Sequence, residues 1–378
     1  MPPRNYIGLN SIKNLNKYLR QNKVKKIFLI SGQTSYKLCG ASRILKPILK
    51  KYAVLNFTDF SSNPQLIDIK RGIKLFRKYN PNLVMAVGGG SAIDVAKSIN
   101  ILAAQSGSPK DYILKKKEIL KPGKKLIAIP TTAGTGSEVT CFSVIYISKN
   151  KYSLKHKFIL PDCSIIDPQF TFNLNRKITA ETGADALSQA VESYWSVKST
   201  AESKRYAAQA IKIIMHNLEK AVKNPNQKVR LAMSRAANLS GQAINISETT
   251  ACHAISYPIT SYFGVAHGQA VAITLSSLLK YNSLVSPANL LDKRGVPYVR
   301  NVIEDLIKLL GANNIWNAQE KIENMLRNIG LATRFHELNI SRPDLKIILK
   351  NGFNPERMKN NPRLVSRTEL RKILLNLV

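Results

Sequence analysis

Four polar side chains in the second half of the sequence have the types and spacing of a divalent-metal site. Asp185 and Gln189 are four residues apart, so a helix would place both on one face, one turn apart. His253 and His267 come later and are fourteen residues from each other. Carboxylate and imidazole groups are common ligands of divalent transition metals, whereas an amide oxygen is a weaker one. The pattern suggests a metal that polarises a carbonyl oxygen.

The histidines also have an ordinary interpretation, because a single histidine is more often structural or surface-exposed than a ligand. His156, His216 and His336 receive that interpretation. His253 lies in an otherwise apolar helical stretch, and the glycines around His267 indicate a close-approach turn or a helix start. Spacing alone leaves the metal site and the structural role open.

Two stretches rich in glycine and hydroxyl groups each follow a short apolar run that predicts a buried strand. Residues 88–91 lead into a predicted helix, and residues 131–138 follow the next strand. Glycines allow close backbone approach to a pyrophosphate, and a helix N-terminus offers free N–H groups. Either stretch alone is equally consistent with a tight or capped turn, but two in one sheet indicate a dinucleotide site. The expected cofactor contacts are Gly88, Gly89, Gly90, Ser91, Thr131, Thr132, Thr135 and Ser137.

A third polar stretch, residues 31–35, follows an early predicted strand and contains no acidic residue. Dinucleotide folds often use an acid at a strand end to bind the adenosine ribose, which disfavours a 2′-phosphate. Here Gly32 leaves room, and Ser31, Thr34, Ser35 and Lys37 could bind a phosphate. The stretch therefore favours NADPH over NADH, with a loop that contacts nothing as the alternative.

The elements that must position these residues change character near residue 175. Before it, short apolar runs alternate with helical patterns, which predicts a parallel, Rossmann-like α/β sheet. Strands are expected at residues 26–30, 53–57, 83–87 and 126–129, helices at 9–22 and 67–79, and more strands within 139–168. From about residue 178 the chain is predicted to be helical, at 180–197, 201–223, 228–246, 267–284, 297–311 and 315–329. We expect a dinucleotide-binding domain at 1–175 and an all-helical metal- and substrate-binding domain at 176–378.

The composition limits the classes of partner. The chain has 57 Lys and Arg against 23 Asp and Glu, a net charge of +34. Such charge can indicate nucleic-acid binding. However, the basic residues are spread along the chain, and no aromatic residues interleave with the densest clusters as a stacking platform requires. Nucleic acid is therefore not expected as the main partner, and attraction of a small anionic substrate is a weaker inference.

Cysteine usage and hydropathy favour a cytoplasmic protein. The four cysteines are scattered, without a C-x-x-C pair, which is typical of reduced thiols. The N-terminal residues lack the apolar core of a signal peptide. No apolar run approaches the length of a membrane span.

Over nearly its whole length the sequence resembles the iron-containing (group III metal-dependent) alcohol dehydrogenase family. The stretches that carry the resemblance are residues 88–97 (GGGSAIDVAK), 130–140 (PTTAGTGSEVT), 160–162 (LPD) with 166–168 (IDP), 183–187 (GADAL), His253, His267-Gly268 and 360–363 (NNPR). The resemblance implies NAD(P)-dependent reduction of an aldehyde to an alcohol, a homodimer, and a cofactor contact from Asp94.

The family binds its metal through an Asp, a His four residues later, and two His fourteen apart. The resemblance thus assigns Fe(II) or Zn(II) to Asp185, His253 and His267. At the second ligand position this chain has Gln189, a weaker oxygen ligand than imidazole. A further family His, four residues after His253 and lining the catalytic cleft, is replaced by Tyr257, which is a candidate either for proton delivery or for packing and substrate contact.

Within the family, residues 185–197 (DALSQAVESYWSV) and 256–258 (SYP) are similar to phosphonoacetaldehyde reductases, which reduce phosphonoacetaldehyde to 2-hydroxyethylphosphonate. Two alternatives remain open. The first is a general alcohol, aldehyde or diol dehydrogenase of the same family. The second is a basic nucleic-acid-binding protein on this scaffold, against which the intact nucleotide stretches argue.

Overall fold

The computed structural model describes residues 3–378, so Met1 and Pro2 of the N-terminal stretch considered above lie outside the described residues. The chain forms two compact units. The first runs up to Leu174 and includes Asn226–Ser234, and the second comprises Asn175–Pro225 with Arg235–Val378.

The strands of the first unit are β1 (Arg4–Ile7), β2 (Lys26–Ser31), β3 (Ala53–Phe57), β4 (Leu83–Gly88), β5 (Lys125–Pro130), β6 (Phe142–Ile147), β7 (Asn150–Lys155) and β8 (Cys163–Ile166). Six of them form a sheet in the order β1-β8-β5-β4-β2-β3, in which every pairing is parallel. A separate antiparallel hairpin is formed by β6 and β7. This confirms the predicted parallel α/β architecture.

The central strands are buried on both faces, which explains their nearly continuous apolar sequences. Phe28 and Val84 point into one hydrophobic core, whereas Ile27, Leu29 and Met85 point into the opposite core. This alternation follows the two-residue period of a strand. Both cores are closed by helices that the sequence supplies between strands.

The helices of the first unit agree with the predicted alternation. The helix expected at 9–22 is shorter, because residues 11–13 form a 3-10 turn before it. The helices are α1 (Asn14–Gln21), α2 (Ser35–Leu38), α3 (Ala41–Leu49), α4 (Leu66–Tyr79), α5 (Gly90–Ala103) and α6 (Pro109–Ile113).

The rest of the chain is helical, as predicted. The prediction of one continuous helix at 267–284 was wrong, because residues 273–274 separate two helices, His267–Ala272 and Leu275–Ser283. The helices are α7 (Arg176–Trp195), α8 (Ala201–Lys223), α9 (Gln227–Ser247), α10 (Ala251–Phe263), α11 (His267–Ala272), α12 (Leu275–Ser283), α13 (Val296–Leu309), α14 (Ile315–Asn328), α15 (Leu345–Asn351), α16 (Pro355–Met358) and α17 (Arg367–Leu375).

The three stretches predicted to bind a cofactor follow the adjacent strands β2, β4 and β5. Carboxyl ends of parallel strands meet at one edge of a sheet, so residues 31–35, 88–91 and 131–138 lie along the same edge. The chain leaves β2 toward β3 and then crosses back to β4 on the other side. This change of direction is the topological switch point at which open α/β sheets bind ligands.

Two findings concern cysteines and membranes. All four cysteines are free thiols. None of the helices in residues 3–378 combines the length and apolar character needed to cross a lipid bilayer.

Candidate functional site

Helix α7 carries two of the predicted metal ligands inside the second unit. Asp185 and Gln189 are both buried on this helix, and most of their neighbours on α7 are buried as well. The sequence around them is rich in alanine, serine and glycine, so α8 and α11 pack closely against α7. Two polar side chains are thereby held one turn apart in an apolar interior.

The other two predicted ligands point at Asp185. His253 lies near the start of α10, and its Nε2 is 3.5 Å from Asp185 Oδ1. His267 is the first residue of α11, and its Nε2 is 4.0 Å from the same oxygen. The two imidazole rings meet edge to face, with centroids 5.4 Å apart. We call Asp185, His253 and His267 the histidine–aspartate cluster.

Gly268 determines how closely His267 approaches α7. A Cβ atom at Gly268 would lie 1.8 Å from the backbone oxygen of Glu181 and 3.3 Å from Cβ of Asp185. Because backbone cannot rotate away as a side chain can, only glycine fits here. The glycine predicted to mark a close-approach turn thus brings the N-terminal end of α11 against α7.

Hydrogen bonds donated by Nδ1 orient both histidines so that Nε2 faces the cluster. Glu192 is fully buried, and its carboxylate accepts a hydrogen bond from Nδ1 of His253. The hydroxyl of Ser256 donates to the backbone oxygen of His253 at 2.8 Å, so its oxygen is left to accept from Nδ1 of His267 at 3.4 Å. Fixing Nδ1 in this way sets the tautomer and orients the other nitrogen toward an ion.

Electrostatics in the cluster favour a bound cation. Burial lowers the pKa of His253, but the carboxylates of Glu192 and Asp185 raise it more, to about 9. Burial also raises the pKa of Glu192, yet His253 holds it below its ordinary value. Two buried carboxylates therefore require positive charge, which a proton on His253 or a metal ion can supply.

The geometry of the cluster suits a divalent metal. One nitrogen from each histidine and one oxygen of Asp185 all lie within 4.8 Å of one another. Ligand atoms about 2.1 Å from a tetrahedral ion are about 3.4 Å apart, so a small contraction would suffice. Asp185 and His253 are buried, whereas the side chain of His267 is 29% exposed, which leaves one side of the cluster accessible.

Gln189 adopts a different role from a ligand in this structure. Its amide nitrogen donates to Asp185 Oδ2 at 3.1 Å, and its amide oxygen lies 3.2 Å from Ser240 Oγ. The oxygen that could bind a metal therefore faces away from the cluster. Coordination by Gln189 stays a prediction, and it requires the amide group to rotate.

The two glycine- and hydroxyl-rich loops of the first unit contact each other. A Cβ at Gly90 would lie 2.7 Å from Thr135 Cγ2, and a Cβ at Gly89 would lie 3.4 Å from Thr132. The backbone N–H of Thr131 also donates to the oxygen of Gly88 at 3.0 Å. The absence of side chains at Gly89 and Gly90 therefore allows the second loop to pack closely against the first.

Three residues that were predicted to contact the cofactor form hydrogen bonds with other residues of the protein through their side chains. Ser137 Oγ donates to Asp94 Oδ1 at 2.5 Å, and Asp94 Oδ2 accepts from the backbone of Val144 at 3.0 Å. The hydroxyl of Ser91 donates to the backbone oxygen of Ser62. Cofactor contacts from Asp94, Ser137 and Ser91 stay predictions.

Lys97 adds further hydrogen bonds to the second loop and to the residues that follow it. Its buried ammonium group donates to Ser137 Oγ at 3.1 Å and to three oxygens of Thr140 and Phe142 at 2.8–3.0 Å. Burial lowers the pKa of Lys97 to about 8, although Asp94 opposes this shift. Lys97 therefore holds the loop after β5 to helix α5.

The loop after β2 presents polar side chains outward. Thr34, Ser35 and Lys37 are exposed, and a Cβ at Gly32 would lie 2.3 Å from Ser35 Oγ. Ser31 differs from this description. It is fully buried and its hydroxyl donates to Asn56 at 3.1 Å, and its suggested phosphate contact stays a prediction.

Tyr257 lies one helical turn beyond His253 on α10 and contacts an arginine from the C-terminal part of the chain. The guanidinium of Arg357 donates a hydrogen bond to its phenol. Arg357 also lies near Glu248, with Nη1 3.6 Å from Oε2. A role for Tyr257 in proton delivery stays a prediction.

Sequence reasoning missed Glu192, Arg357 and the role of Lys97. Glu192 is seven residues after Asp185, which is two helical turns, so the same face of α7 could have indicated it. Arg357 had no comparable indication, because it follows α10 by almost a hundred residues.

Comparison with protein families gives two matches that together cover almost the whole chain. Residues 2–168 match the model described as iron-containing alcohol dehydrogenase. Residues 179–378 match the C-terminal model of the Fe-containing alcohol dehydrogenase family.

Individual proteins agree with these matches. The chain is 33% identical to a phosphonoacetaldehyde reductase from Streptomyces viridochromogenes over 79% of this chain and 76% of that protein. It is 30% identical to long-chain-alcohol dehydrogenase 1 from Geobacillus thermodenitrificans over 94% and 90% of the two chains. The crystal structure of sulfoacetaldehyde reductase from Bifidobacterium kashiwanohense with NAD+ superimposes with a TM-score of 0.89 at 28% identity, covering 100% of this chain and 97% of that one. The chain therefore belongs to the iron-containing alcohol dehydrogenase family, and it is an NAD(P)-dependent oxidoreductase with a metal site.

Proposed function

We propose that this protein reduces phosphonoacetaldehyde to 2-hydroxyethylphosphonate with NAD(P)H. The reaction consumes the aldehyde, one reduced nicotinamide and one proton, and it yields a primary alcohol and the oxidised cofactor. The observation that carries the proposal is the accessible histidine–aspartate cluster in a chain similar to a phosphonoacetaldehyde reductase over most of its length.

The substrate class is supported by two relatives of related chemistry. One is the phosphonoacetaldehyde reductase, and the other is the sulfoacetaldehyde reductase. Both named substrates are two-carbon aldehydes with an anionic tetrahedral group. The net charge of +34 would raise the local concentration of such a substrate.

The residues of the cluster have distinct tasks in this proposal. Asp185, His253 and His267 hold a divalent metal, which supplies Lewis-acid polarisation of the aldehyde oxygen when bound. Glu192 keeps His253 in the tautomer that presents Nε2. Gln189 orients Asp185 or, with its amide rotated, adds an oxygen ligand. Fe(II) and Zn(II) both suit this donor set.

For the cofactor, we propose that NADPH is preferred over NADH. Residues 31–35 contain no acid that would repel a 2′-phosphate, and Ser35 and the nearby Lys37 are both exposed. The measurement is the ratio of kcat/KM for the two cofactors at saturating aldehyde. A clear preference for NADH would contradict the proposal.

The proposed organisation assigns cofactor binding to residues 1–175 and metal and substrate binding to residues 176–378. The cofactor contacts are proposed at the loops after β2, β4 and β5. A homodimeric state and a cytoplasmic location also remain predictions.

The main alternative is a general alcohol, aldehyde or diol dehydrogenase, because relatives also include a long-chain-alcohol dehydrogenase and a 1,3-propanediol dehydrogenase. NAD(P)H oxidation should be screened against phosphonoacetaldehyde, short aliphatic aldehydes and the aldehydes of diols, with Fe(II), Zn(II) or no metal. The proposal expects the highest kcat/KM with phosphonoacetaldehyde and a metal. Higher values with uncharged aldehydes would favour the alternative.

A further inference from the structure

Arg357 places a guanidinium group beside helix α10 in a largely buried position. Its side chain is 12% exposed, and helix α16, which carries it, packs against α10. The guanidinium donates a hydrogen bond to the phenol of Tyr257. Tyr257 is four residues after His253, so both share one face of α10, about 6 Å apart along the axis.

The donors of Arg357 are only partly used. A guanidinium has five N–H donors in a fixed fork. Nη1 is buried and makes no hydrogen bond to any residue in the described part of the chain. The nearest acid, Glu248, is 3.6 Å away, beyond hydrogen-bond distance. Glu248 also pairs with Lys198 at 3.0 Å, so its charge is shared. A buried guanidinium with an unused N–H group can donate a hydrogen bond to a further anionic oxygen.

The chemistry of the fork indicates which ligand fits. Two parallel N–H groups of arginine match two oxygens of a phosphonate, sulfonate or carboxylate. A neutral hydroxyl or methyl group offers no negative charge to pair with the guanidinium. At the corresponding place the resemblance leads one to expect a histidine, so Tyr257 and its partner Arg357 mark a local change in the chemistry of this helix face.

We propose that Arg357, positioned by Tyr257, binds the anionic group of an aldehyde substrate whose carbonyl oxygen faces the histidine–aspartate cluster. This rests on the proposed function and names the residue that would recognise the phosphonate. A two-carbon aldehyde with a tetrahedral anion has a length comparable to the turn of helix between His253 and Tyr257. Arg357 therefore selects charged over uncharged aldehydes.

The test compares matched substrates in Arg357→Gln and Arg357→Lys. Reduction of phosphonoacetaldehyde, sulfoacetaldehyde and uncharged propanal should be measured with the metal-loaded protein. We expect Arg357→Gln to lower the ratio of kcat/KM for the anionic aldehydes over propanal by about 100-fold, mainly through KM. Arg357→Lys should restore part of this ratio. The exposed Arg342→Gln is the matched control and should leave the ratio unchanged.

Two results would overturn the assignment. One is an equal loss of kcat/KM with all three aldehydes in Arg357→Gln, which is expected if Arg357 has a purely structural role. The other is an unchanged KM for both anionic aldehydes. Whether the site prefers a phosphonate or a sulfonate is shown by which of the two anionic aldehydes has the lower KM with the unmodified protein.

A binding measurement separates this inference from the proposed function. Phosphonoacetate, which cannot be reduced, should inhibit propanal reduction competitively, and Arg357→Gln should weaken this inhibition by about 100-fold. The thermal shift of the metal-loaded protein with phosphonoacetate gives the same comparison without turnover. If the unmodified protein binds phosphonoacetate through Arg357 but does not reduce phosphonoacetaldehyde, only the proposed substrate fails. If phosphonoacetate gives no inhibition and no thermal shift, the anion site itself is wrong.

Discussion

The buried carboxylate of Glu192 accepts a hydrogen bond from Nδ1 of His253, while Nε2 of the same ring lies 3.5 Å from Asp185. Glu192 also accepts from the backbone N–H and the hydroxyl of Thr250, at 3.1 and 2.8 Å. The same carboxylate thus fixes the start of α10 and the orientation of one proposed metal ligand. Asp185 and Glu192, seven residues apart on α7, approach the His253 ring from its two nitrogens.

Glu192→Gln should weaken metal binding by about 10- to 100-fold, because a neutral amide no longer raises the basicity of His253 or holds it as firmly. The measurement is competition for Zn(II) against a chelator of known affinity. The exposed Glu320→Gln is the control. Equal affinity of both variants would show that Glu192 only packs.

Gly268→Ala should displace α11 from α7, because its Cβ would lie 1.8 Å from the backbone oxygen of Glu181. We expect a loss of about 1–3 kcal/mol in unfolding free energy and weaker metal binding, since His267 begins the same helix. Urea denaturation and metal content measure the two effects. Gly89→Ala, whose Cβ would make only ordinary contacts at 3.4 Å, should leave metal content unchanged. Normal metal content in Gly268→Ala would show that metal binding does not require the close packing of α11 against α7.

Gln189→His should tighten Zn(II) binding by at least about 10-fold, because imidazole is a better ligand than an amide and lies on the face of Asp185. The variant would lose the hydrogen bond from the amide to Asp185 at 3.1 Å, which the metal would compensate. Chelator competition on the unmodified protein and the variant gives the comparison. An unchanged or weaker affinity would indicate that a side chain at this position cannot reach the ion.

Lys97→Met should lower the unfolding free energy by about 3–5 kcal/mol, because it leaves the buried Asp94 without its positive partner. The loss is measured from the urea-induced unfolding transition of the first unit. The exposed Lys50→Met is the control and should change the unfolding free energy by less than about 0.5 kcal/mol.

The effect of Lys97→Met should also depend on pH. The pKa of Lys97 falls from 10.5 to about 8 on folding. Between these values the unfolded chain binds more protons than the folded chain, so the contribution of Lys97 to stability rises with pH. The difference between the two proteins should therefore widen from pH 8 to pH 10. A difference that is constant or narrows would contradict the burial of a titrating Lys97.

The sequence predicted the parts of the fold that depend on local pattern. Continuous apolar runs such as residues 83–87 indicated buried parallel strands, and the change to helical periodicity near residue 178 located the helical region. Strand β1 (Arg4–Ile7) was missed because it is short and half exposed, and only its pairing with β8 makes it a strand.

At the candidate site, residue types indicated the histidine–aspartate cluster, but not what orients it. Ser256 acts on His267 from another helix, which no local pattern reveals. The position of Glu192 on the same helix face as Asp185 could have indicated it, but its hydrogen bond to His253, 61 residues later, could not be inferred from that position. Asp94 and Ser137 are separated by 43 residues, so their hydrogen bond under the second loop could not be inferred from a motif expected to face a cofactor.

The central claim is that Asp185, His253 and His267 hold a metal on which aldehyde reduction depends. The most direct measurement is metal content together with NADPH oxidation for His267→Ala, with the exposed His336→Ala as the control. We expect His267→Ala to lose metal and turnover together, and His336→Ala to retain both. Sustained aldehyde reduction by a His267→Ala sample that contains no metal would contradict the claim.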